Sequence, residues 1–241
     1  MTLLVDFGNT RVKAAVKDGG KMRHIYSGEA SLRNLMSATQ GLDIRGGMWC
    51  SVHPVDKTLT DWMFSLGMIP LAPSVPIPLT NAYSAPESLG MDRLAAAVGA
   101  YSMQPGHNLL VIDAGTAITY DFVSADGVYH GGNIAPGAAL RFKSLHENTG
   151  ALPLVDHKGD VPMLGNDTVT AIRSGVINGI RHEIEGYIRE LDSLYPSLLV
   201  FLTGGDADCF DIKGKCATFV VPSLVLEGLA RIVDYNGNQG F

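Results

Sequence analysis

The sequence predicts an α/β protein built from two related domains, and a repeated pattern is the main reason. A continuous apolar run at Leu3–Val5 ends in a carboxylate followed by a glycine-containing turn, and Leu109–Ile112 ends in the same way. Such runs are typical of strands buried on both faces. The chain has 241 residues, 46% of them hydrophobic, which is enough to bury two cores. We expect one domain over residues 1–105 and a second over residues 106–241, with the break near Pro105–Asn108.

Each of these two strands is followed by a turn and a further strand. The first turn, Asp6–Thr10, precedes the apolar stretch Val12–Val16. The second turn, Asp113–Ala117, precedes Ile118–Val123. Asp-Gly pairs follow both second strands and are typical of tight turns. Each domain is therefore predicted to begin with a β-hairpin that carries glycine at its tip.

Three helices and a third strand complete the prediction. An Ala- and Leu-rich helix is expected over Asp92–Met103, and a long amphipathic helix is expected to begin near Asp167–Thr168. The apolar strand Leu198–Leu202 runs into the glycine-rich turn Thr203–Asp206. The last helix is expected over Leu224–Val233.

The composition argues against several kinds of partner. The net charge is -6 without blocks of basic residues, so no nucleic acid and no anionic membrane surface is expected as a partner. No apolar run reaches the roughly 18 residues that span a bilayer. The chain's three cysteines form no CxxC pair, the histidines have no zinc-ligand spacing, and the first residues do not resemble a signal peptide. We therefore expect a cytoplasmic protein without structural zinc.

The first turn contains the residue types that bind a phosphate group. Gly8 lets the backbone approach an anion closely, and Lys13 adds a positive charge. Asn9 and Thr10 add neutral donors, and Asp6 stands where a carboxylate could position Mg²⁺. A single turn of this kind is most often only structural, but three matched turns favour a nucleotide site. We expect ATP between the two domains, with the third turn against its adenosine.

The order of these turns resembles a known superfamily. Asp6–Thr10 and Asp113–Ala117, followed by Gly204–Gly205, are similar to the phosphate-1, phosphate-2 and adenosine motifs of actin-like ATPases. The resemblance implies two tandem ribonuclease H-like domains with mixed sheets.

A narrower resemblance comes from the segments between these turns. Asn81–Tyr83 and Gly90–Arg93 are similar to the NxY and GxDR motifs of type III pantothenate kinases, and Gly131–Gly137 resembles their GGxIxPG loop. Met91 and Gly150 depart from the family's usual residues at their positions. Neither departure removes a polar group, so they concern the shape of the acyl pocket rather than the activity.

This resemblance implies ATP-dependent phosphorylation of pantothenate to 4′-phosphopantothenate, the first step of coenzyme A biosynthesis, with Asp92 as the general base. It implies a homodimer and a monovalent cation, K⁺ or NH₄⁺, at Asp113. Asp6 is expected to hold Mg²⁺ through water. The residues implied for ATP are Asp6, Phe7, Gly8, Asn9, Thr10, Arg11, Val12, Lys13 and Thr116. Those implied for pantothenate are Tyr83, Gly90, Met91, Asp92, Arg93 and Thr168.

The residues also allow plainer interpretations. On spacing alone, Asp92 would more often cap the helix that follows it, and Asp113 could simply bind the amides of its own turn. Tyr83 could be a packing residue, Arg93 a surface ion-pair former and Thr168 part of a helix cap. Cys50 is expected to be a core residue.

Two alternative functions remain at this stage. The fold would also suit another small-molecule kinase or an exopolyphosphatase. A non-catalytic accessory regulator of gene expression is the alternative from a different class, although the acidic balance argues against direct DNA binding. A protein kinase is excluded, because the Asp-Phe-Gly sequence at Asp6 has no glycine-rich loop or catalytic loop before it.

Overall fold

The computed structural model describes residues 1–210, 212 and 216–237. The chain has a mixed α/β architecture, as predicted. It divides into two compact units. The first unit comprises Met1–Gly106, Asp126–His130 and the C-terminal segment from Ser223, and the second comprises His107–Ala125 and Gly131–Pro222. The first boundary falls close to the predicted one, but the C-terminal segment groups with the first unit rather than the second.

The secondary structure contains eleven strands and six α-helices in the described part of the chain. The strands are β1 (Thr2–Phe7), β2 (Val12–Asp18), β3 (Lys21–Gly28), β4 (Gly47–Ser51), β5 (Met68–Pro70), β6 (Thr80–Asn81), β7 (Leu109–Ala114), β8 (Ala117–Val123), β9 (Val128–Pro136), β10 (Leu199–Thr203) and β11 (Thr218–Val220). The helices are α1 (Leu32–Thr39), α2 (Lys57–Ser65), α3 (Met91–Met103), α4 (Ala138–Glu147), α5 (Thr168–Leu194) and α6 (Leu224–Gly237). Short 3-10 turns lie at Pro86–Ser88 and Ala207–Cys209. None of the helices described is both long and apolar enough to cross a membrane.

The sheet of the first unit has the order β3-β2-β1-β4-β5. β1 pairs with β2 as the predicted antiparallel hairpin and with β4 in parallel. Because β1 lies at the centre of this sheet, its residues Leu3, Val5 and Phe7 are almost completely buried in the core. The central position also brings the carboxyl ends of β1 and β4 together.

Helices α3 and α6 pack closely against each other in the first unit. A Cβ atom on Gly228 would lie 1.8 Å from the carbonyl oxygen of Ala95, and one on Gly99 would lie 2.5 Å from that of Leu224. Only glycine permits backbones to approach this closely. This contact explains why the C-terminal helix groups with the first unit, and it fixes the position of α3.

The second unit has strands in the order β11-β10-β7-β8-β9. β7 and β8 form the predicted antiparallel hairpin, and β10 runs parallel to β7. Helix α5 covers this sheet with a row of buried isoleucines that includes Ile180 and Ile184. The short strand β6 pairs with Val128 and Tyr129, which lie in the part of β9 that belongs to the first unit.

Candidate active site

Asp6 is the buried carboxylate of the first unit, with 9% of its surface exposed. It lies near the end of β1, opposite Lys13 on β2 and Cys50 on β4. The Cys50 thiol donates a hydrogen bond to Asp6 Oδ1 at 3.6 Å. Cys50 is buried, as expected, but its contact with Asp6 was not foreseen, because it depends on the parallel register of two strands far apart in sequence.

The pKa of Asp6 shows which charges surround it. Burial, and after it the nearby Asp92 carboxylate, raise this pKa to about 6, although Lys13 and the Cys50 thiol act in the opposite direction. Burial and the same two carboxylates raise the pKa of Cys50, so its thiol stays protonated and remains a donor. Asp6, Asp92 and Lys13, which are far apart in the sequence, thus interact in one region of the first unit.

The loop between β1 and β2 borders a polar cavity of about 540 Å³. Gly8 closes the turn by donating its N–H to the Arg11 carbonyl oxygen at 3.1 Å. The cavity is lined by Gly8, Asn9, Thr10, Arg11, Ser27, Gly28, Glu29, Ala30 and His53. Ser27–Ala30 and His53 carry no motif and were not predicted. Phe7 and Val12 bury their side chains in the core, so they offer a ligand only their backbone atoms.

Asp92 is not the N-cap residue of helix α3, contrary to the plainer interpretation. The helix begins at Met91 and its N-cap is Gly90, which makes no side-chain capping hydrogen bond. A Cβ atom on Gly90 would lie 2.5 Å from Asp92 Oδ1, so the absence of a side chain at Gly90 leaves room for this carboxylate. Asp92 lies in the first helical turn, where the helix dipole stabilises a negative charge.

Tyr83 and Arg93 lie together in the first unit. The guanidinium carbon of Arg93 is 6.0 Å from the centre of the Tyr83 ring, a distance at which cation–π attraction operates. Arg93 is only 7% exposed, so it is not a surface ion-pair former. The Tyr83 N–H donates to Asn81 Oδ1 at 3.0 Å, and its ring lies 6.4 Å from that of Tyr129. Asn81, for which no role was predicted, therefore orients Tyr83.

The remaining predicted residues lie in the second unit. Asp113 stands near the end of β7, and Thr116 belongs to the turn between β7 and β8. The N–H of Asp206 donates to the Ala114 carbonyl oxygen at 2.9 Å, and the N–H of Gly137 donates to the Thr116 carbonyl oxygen at 3.0 Å. The second and third glycine-rich turns and Gly137 therefore meet at one edge of this unit. Most of the segment Gly131–Gly137, which the sequence suggested was a loop, belongs to strand β9.

Thr168 is the first residue of helix α5 and is exposed. The cap itself is made by the neighbouring Asp167, whose carboxylate accepts from the Thr170 N–H at 2.9 Å, and the Thr170 hydroxyl oxygen accepts from the Asp167 N–H in return. Thr168 has its side chain outside this capping box. It belongs to a different unit from Tyr83 and Arg93.

Within the described residues, no group of three or more His, Cys, Asp or Glu side chains could hold a metal ion. A Mg²⁺ ion that binds with a nucleotide does not need such a group, because it usually takes one or two carboxylates, phosphate oxygens and water. The buried Asp6 carboxylate, with the Asp92 carboxylate close enough to raise its pKa, suits a divalent cation of this kind.

Comparison with known proteins identifies the family. The family model described as type III pantothenate kinase matches residues 2–190. The chain belongs to the type III pantothenate kinase family. The resemblance read from the NxY, GxDR and GGxIxPG motifs is therefore confirmed.

Two relatives named type III pantothenate kinase match almost the full chain. The protein from Phocaeicola vulgatus is 48% identical over 239 residues, covering 98% of this chain and 99% of its own. The protein from Bacteroides fragilis is 45% identical over 245 residues, covering 99% of this chain and 100% of its own. These relatives make the chain an enzyme of the kinase class.

Solved structures support the predicted fold. A conserved protein from Campylobacter jejuni, named for the Baf family of transcriptional activators, has a TM-score of 0.63 at 23% identity and covers 98% of this chain and 99% of its own. MreB 5 of Spiroplasma citri, solved with AMPPNP, has a TM-score of 0.55 at 12% identity and covers 100% and 99%. At such low identity these likenesses show the actin-like ATPase fold alone.

Proposed function

We propose that this type III pantothenate kinase transfers the γ-phosphoryl group of ATP to the 4′-hydroxyl of pantothenate, which is the first step of coenzyme A biosynthesis. Family membership supports the substrates. The observation that carries the proposal is the interaction of Asp6, Asp92 and Lys13 in the first unit, because phosphoryl transfer needs a proton acceptor and positive charge near the phosphates.

In the proposed reaction, the pantothenate hydroxyl oxygen attacks the γ-phosphorus and its proton passes to the Asp92 carboxylate. The bond from the γ-phosphorus to the bridging oxygen breaks, and ADP leaves with that oxygen. Asp92 suits the base because it is partly buried in the first turn of α3 and lies near Asp6, beside the loop proposed to bind the phosphates. Lys13 adds positive charge close by, and the Gly8–Arg11 loop offers backbone amides to the phosphates.

Asp6 is the residue that we propose to hold Mg²⁺ through its water shell. Bound Mg²⁺ neutralises charge on the phosphate oxygens. The raised pKa of Asp6 supports this role, because a nearby divalent cation would favour the carboxylate that burial and Asp92 disfavour. The Cys50 thiol donates a hydrogen bond to the same carboxylate, which stabilises its charged form.

Replacing Arg93 by Lys should raise the KM for pantothenate about tenfold and leave the KM for ATP within about twofold, because lysine lacks the planar fork that binds a carboxylate bidentately. The buried guanidinium beside Tyr83 is the proposed site of the pantothenate carboxylate. Two titrations measure this, each varying one substrate with the other saturating. Arg231→Lys, an exposed arginine of α6, is the matched control. An increase confined to the KM for ATP would move Arg93 to the phosphate-binding side.

Asp113 is the proposed site of the monovalent cation, because a carboxylate near ATP phosphates is repulsive unless a cation lies between them. Exchanging K⁺ for Na⁺ at constant ionic strength should lower kcat about tenfold. Asp113→Asn should give the same rate in both salts, and the exposed Asp160→Asn should respond to K⁺ like the wild type. Equal wild-type rates in K⁺ and Na⁺ would leave Asp113 a turn residue.

We also propose that the enzyme works in the cytoplasm, where ATP is available. We propose further that it is a homodimer. A groove of about 610 Å³ between α4 and α5, lined mainly by apolar residues, supports the dimer. Leu154, Met163 and Leu164 of the same unit are 65–84% exposed, which is unusual for residues of this size. Light scattering should give a mass twice that of one chain.

A coupled assay of ADP release tests the proposed reaction. ADP should appear with pantothenate as acceptor and far more slowly with other alcohols, with sugars or with water alone. Turnover that favours a sugar would instead support another small-molecule kinase of this fold. The regulatory alternative is not favoured, because relatives matched over nearly the full chain are named as kinases.

A further inference from the structure

An ion pair in the second unit connects two helices to the turn that holds Thr116. Glu183 of α5 accepts a hydrogen bond from Arg141 Nη2 of α4 at 2.8 Å. Its other carboxylate oxygen accepts from the Tyr120 hydroxyl of β8 at 2.7 Å. The side chains of Arg141 and Glu183 are only 22% and 28% exposed. Both carboxylate oxygens of Glu183 therefore have fixed partners from two other elements.

Arg141 extends this connection to the backbone. Its Nε donates to the Pro136 carbonyl oxygen at 2.7 Å. The next residue, Gly137, donates its N–H to the Thr116 carbonyl oxygen at 3.0 Å. A Cβ atom on Gly137 would lie 2.1 Å from the Gly115 carbonyl oxygen, so the two backbones are in direct contact. A shift of Pro136 would consequently be transmitted to the Gly115–Thr116 turn.

We infer that Glu183 and Arg141 are positioning residues that hold the Gly115–Thr116 turn in place for the phosphates of ATP. The inference rests on the proposed function, in which Thr116 contacts ATP. Neither side chain needs to touch the nucleotide. A displacement of about 1 Å in a binding turn is enough to weaken ligand binding and turnover.

The geometry also favours arginine over lysine at position 141. A guanidinium can donate from Nη2 to a carboxylate and from Nε to a carbonyl oxygen at the same time, as Arg141 does. The single ammonium of a lysine could keep the pair with Glu183 but would lose the fixed fork that also reaches Pro136. Arg141→Lys therefore keeps the positive charge beside Glu183 and removes the hydrogen bond that positions Pro136.

The experiment measures MgADP binding by calorimetry and the two KM values for Arg141→Lys and Glu183→Gln. Both variants should weaken MgADP binding and raise the KM for ATP about 5- to 10-fold, with the KM for pantothenate within about twofold. The double variant should bind MgADP no more weakly than the single variant that has the lower affinity, because both substitutions act through one contact. Tyr120→Phe removes only one hydrogen bond to Glu183, so it should fold normally and shift MgADP binding in the same direction by about twofold.

The matched control is the exposed pair Lys143 and Glu147 on the same helix, 3.7 Å apart. Lys143→Gln and Glu147→Gln should change neither MgADP binding nor either KM. The inference is overturned if all three test variants bind MgADP like these controls, or if both KM values rise together with a loss of Tm. A wild-type protein that binds MgADP but does not phosphorylate pantothenate would overturn the proposed substrate. MgADP binding by the variants would then still test the positioning role of Glu183 and Arg141. A wild-type protein that does not bind MgADP overturns both proposals.

Discussion

Asp92→Asn should lower kcat for pantothenate phosphorylation by about 10² or more, because the amide cannot accept the proton of the attacking hydroxyl. The Tm should stay within about 2 °C of the wild-type value, since asparagine keeps the size and shape of the side chain and the N-cap of α3 is Gly90 rather than Asp92. Steady-state kinetics and thermal unfolding of the same preparation measure both quantities.

The control for this prediction is Asp61→Asn, which changes an exposed acid on α2 that pairs with Lys57 one helical turn away. It should leave kcat unchanged. A rate for Asp92→Asn within a few-fold of wild type would contradict the assignment of the general base. A large fall in Tm would point instead to a structural role of Asp92 in the first turn of α3.

The sequence predicted the parts of the fold that depend on short-range patterns. The hairpins β1–β2 and β7–β8 follow from continuous apolar runs that end in Asp and Gly, because glycine and a short polar side chain favour a tight turn. The long helix α5 begins at Thr168, as expected, because Asp167 is a strong N-cap residue. Local preference and tertiary structure agree at each of these places.

The sequence could not predict features that depend on close packing between distant segments. The contact of Cys50 with Asp6 requires the parallel pairing of β1 with β4, which no local pattern specifies. The grouping of α6 with the first unit depends on the close approach of Gly228 to Ala95. A helix start was expected at Asp92 because Asp is a common N-cap residue. The N-cap is instead Gly90, whose backbone is extended, and the helix begins at Met91.

Asp6 should make the protein less stable above pH 6 than below pH 4. Its pKa is about 6 in the folded protein against an ordinary value of 3.8, so the folded state binds the proton more tightly than the unfolded state. The free energy of unfolding therefore falls as the pH rises through this window, by about 3 kcal/mol in total at roughly 1.4 kcal/mol per pKa unit. The buried Asp6 carboxylate thus lowers the free energy of unfolding of the ligand-free protein at neutral pH.

Asp6→Asn should remove this dependence, because the amide does not titrate. Denaturant unfolding at pH 4 and pH 8 gives the free energy of unfolding of the variant and of the wild type. The variant's value minus the wild-type value should be about 2–3 kcal/mol larger at pH 8 than at pH 4. Its kcat should fall by about 10² or more, because the proposed Mg²⁺ position is lost. Asp61→Asn should show no comparable difference between the two pH values. A stability difference equal at both pH values would mean that Asp6 keeps its ordinary pKa in the folded protein, and the rise attributed to its burial and to the nearby Asp92 would then be wrong.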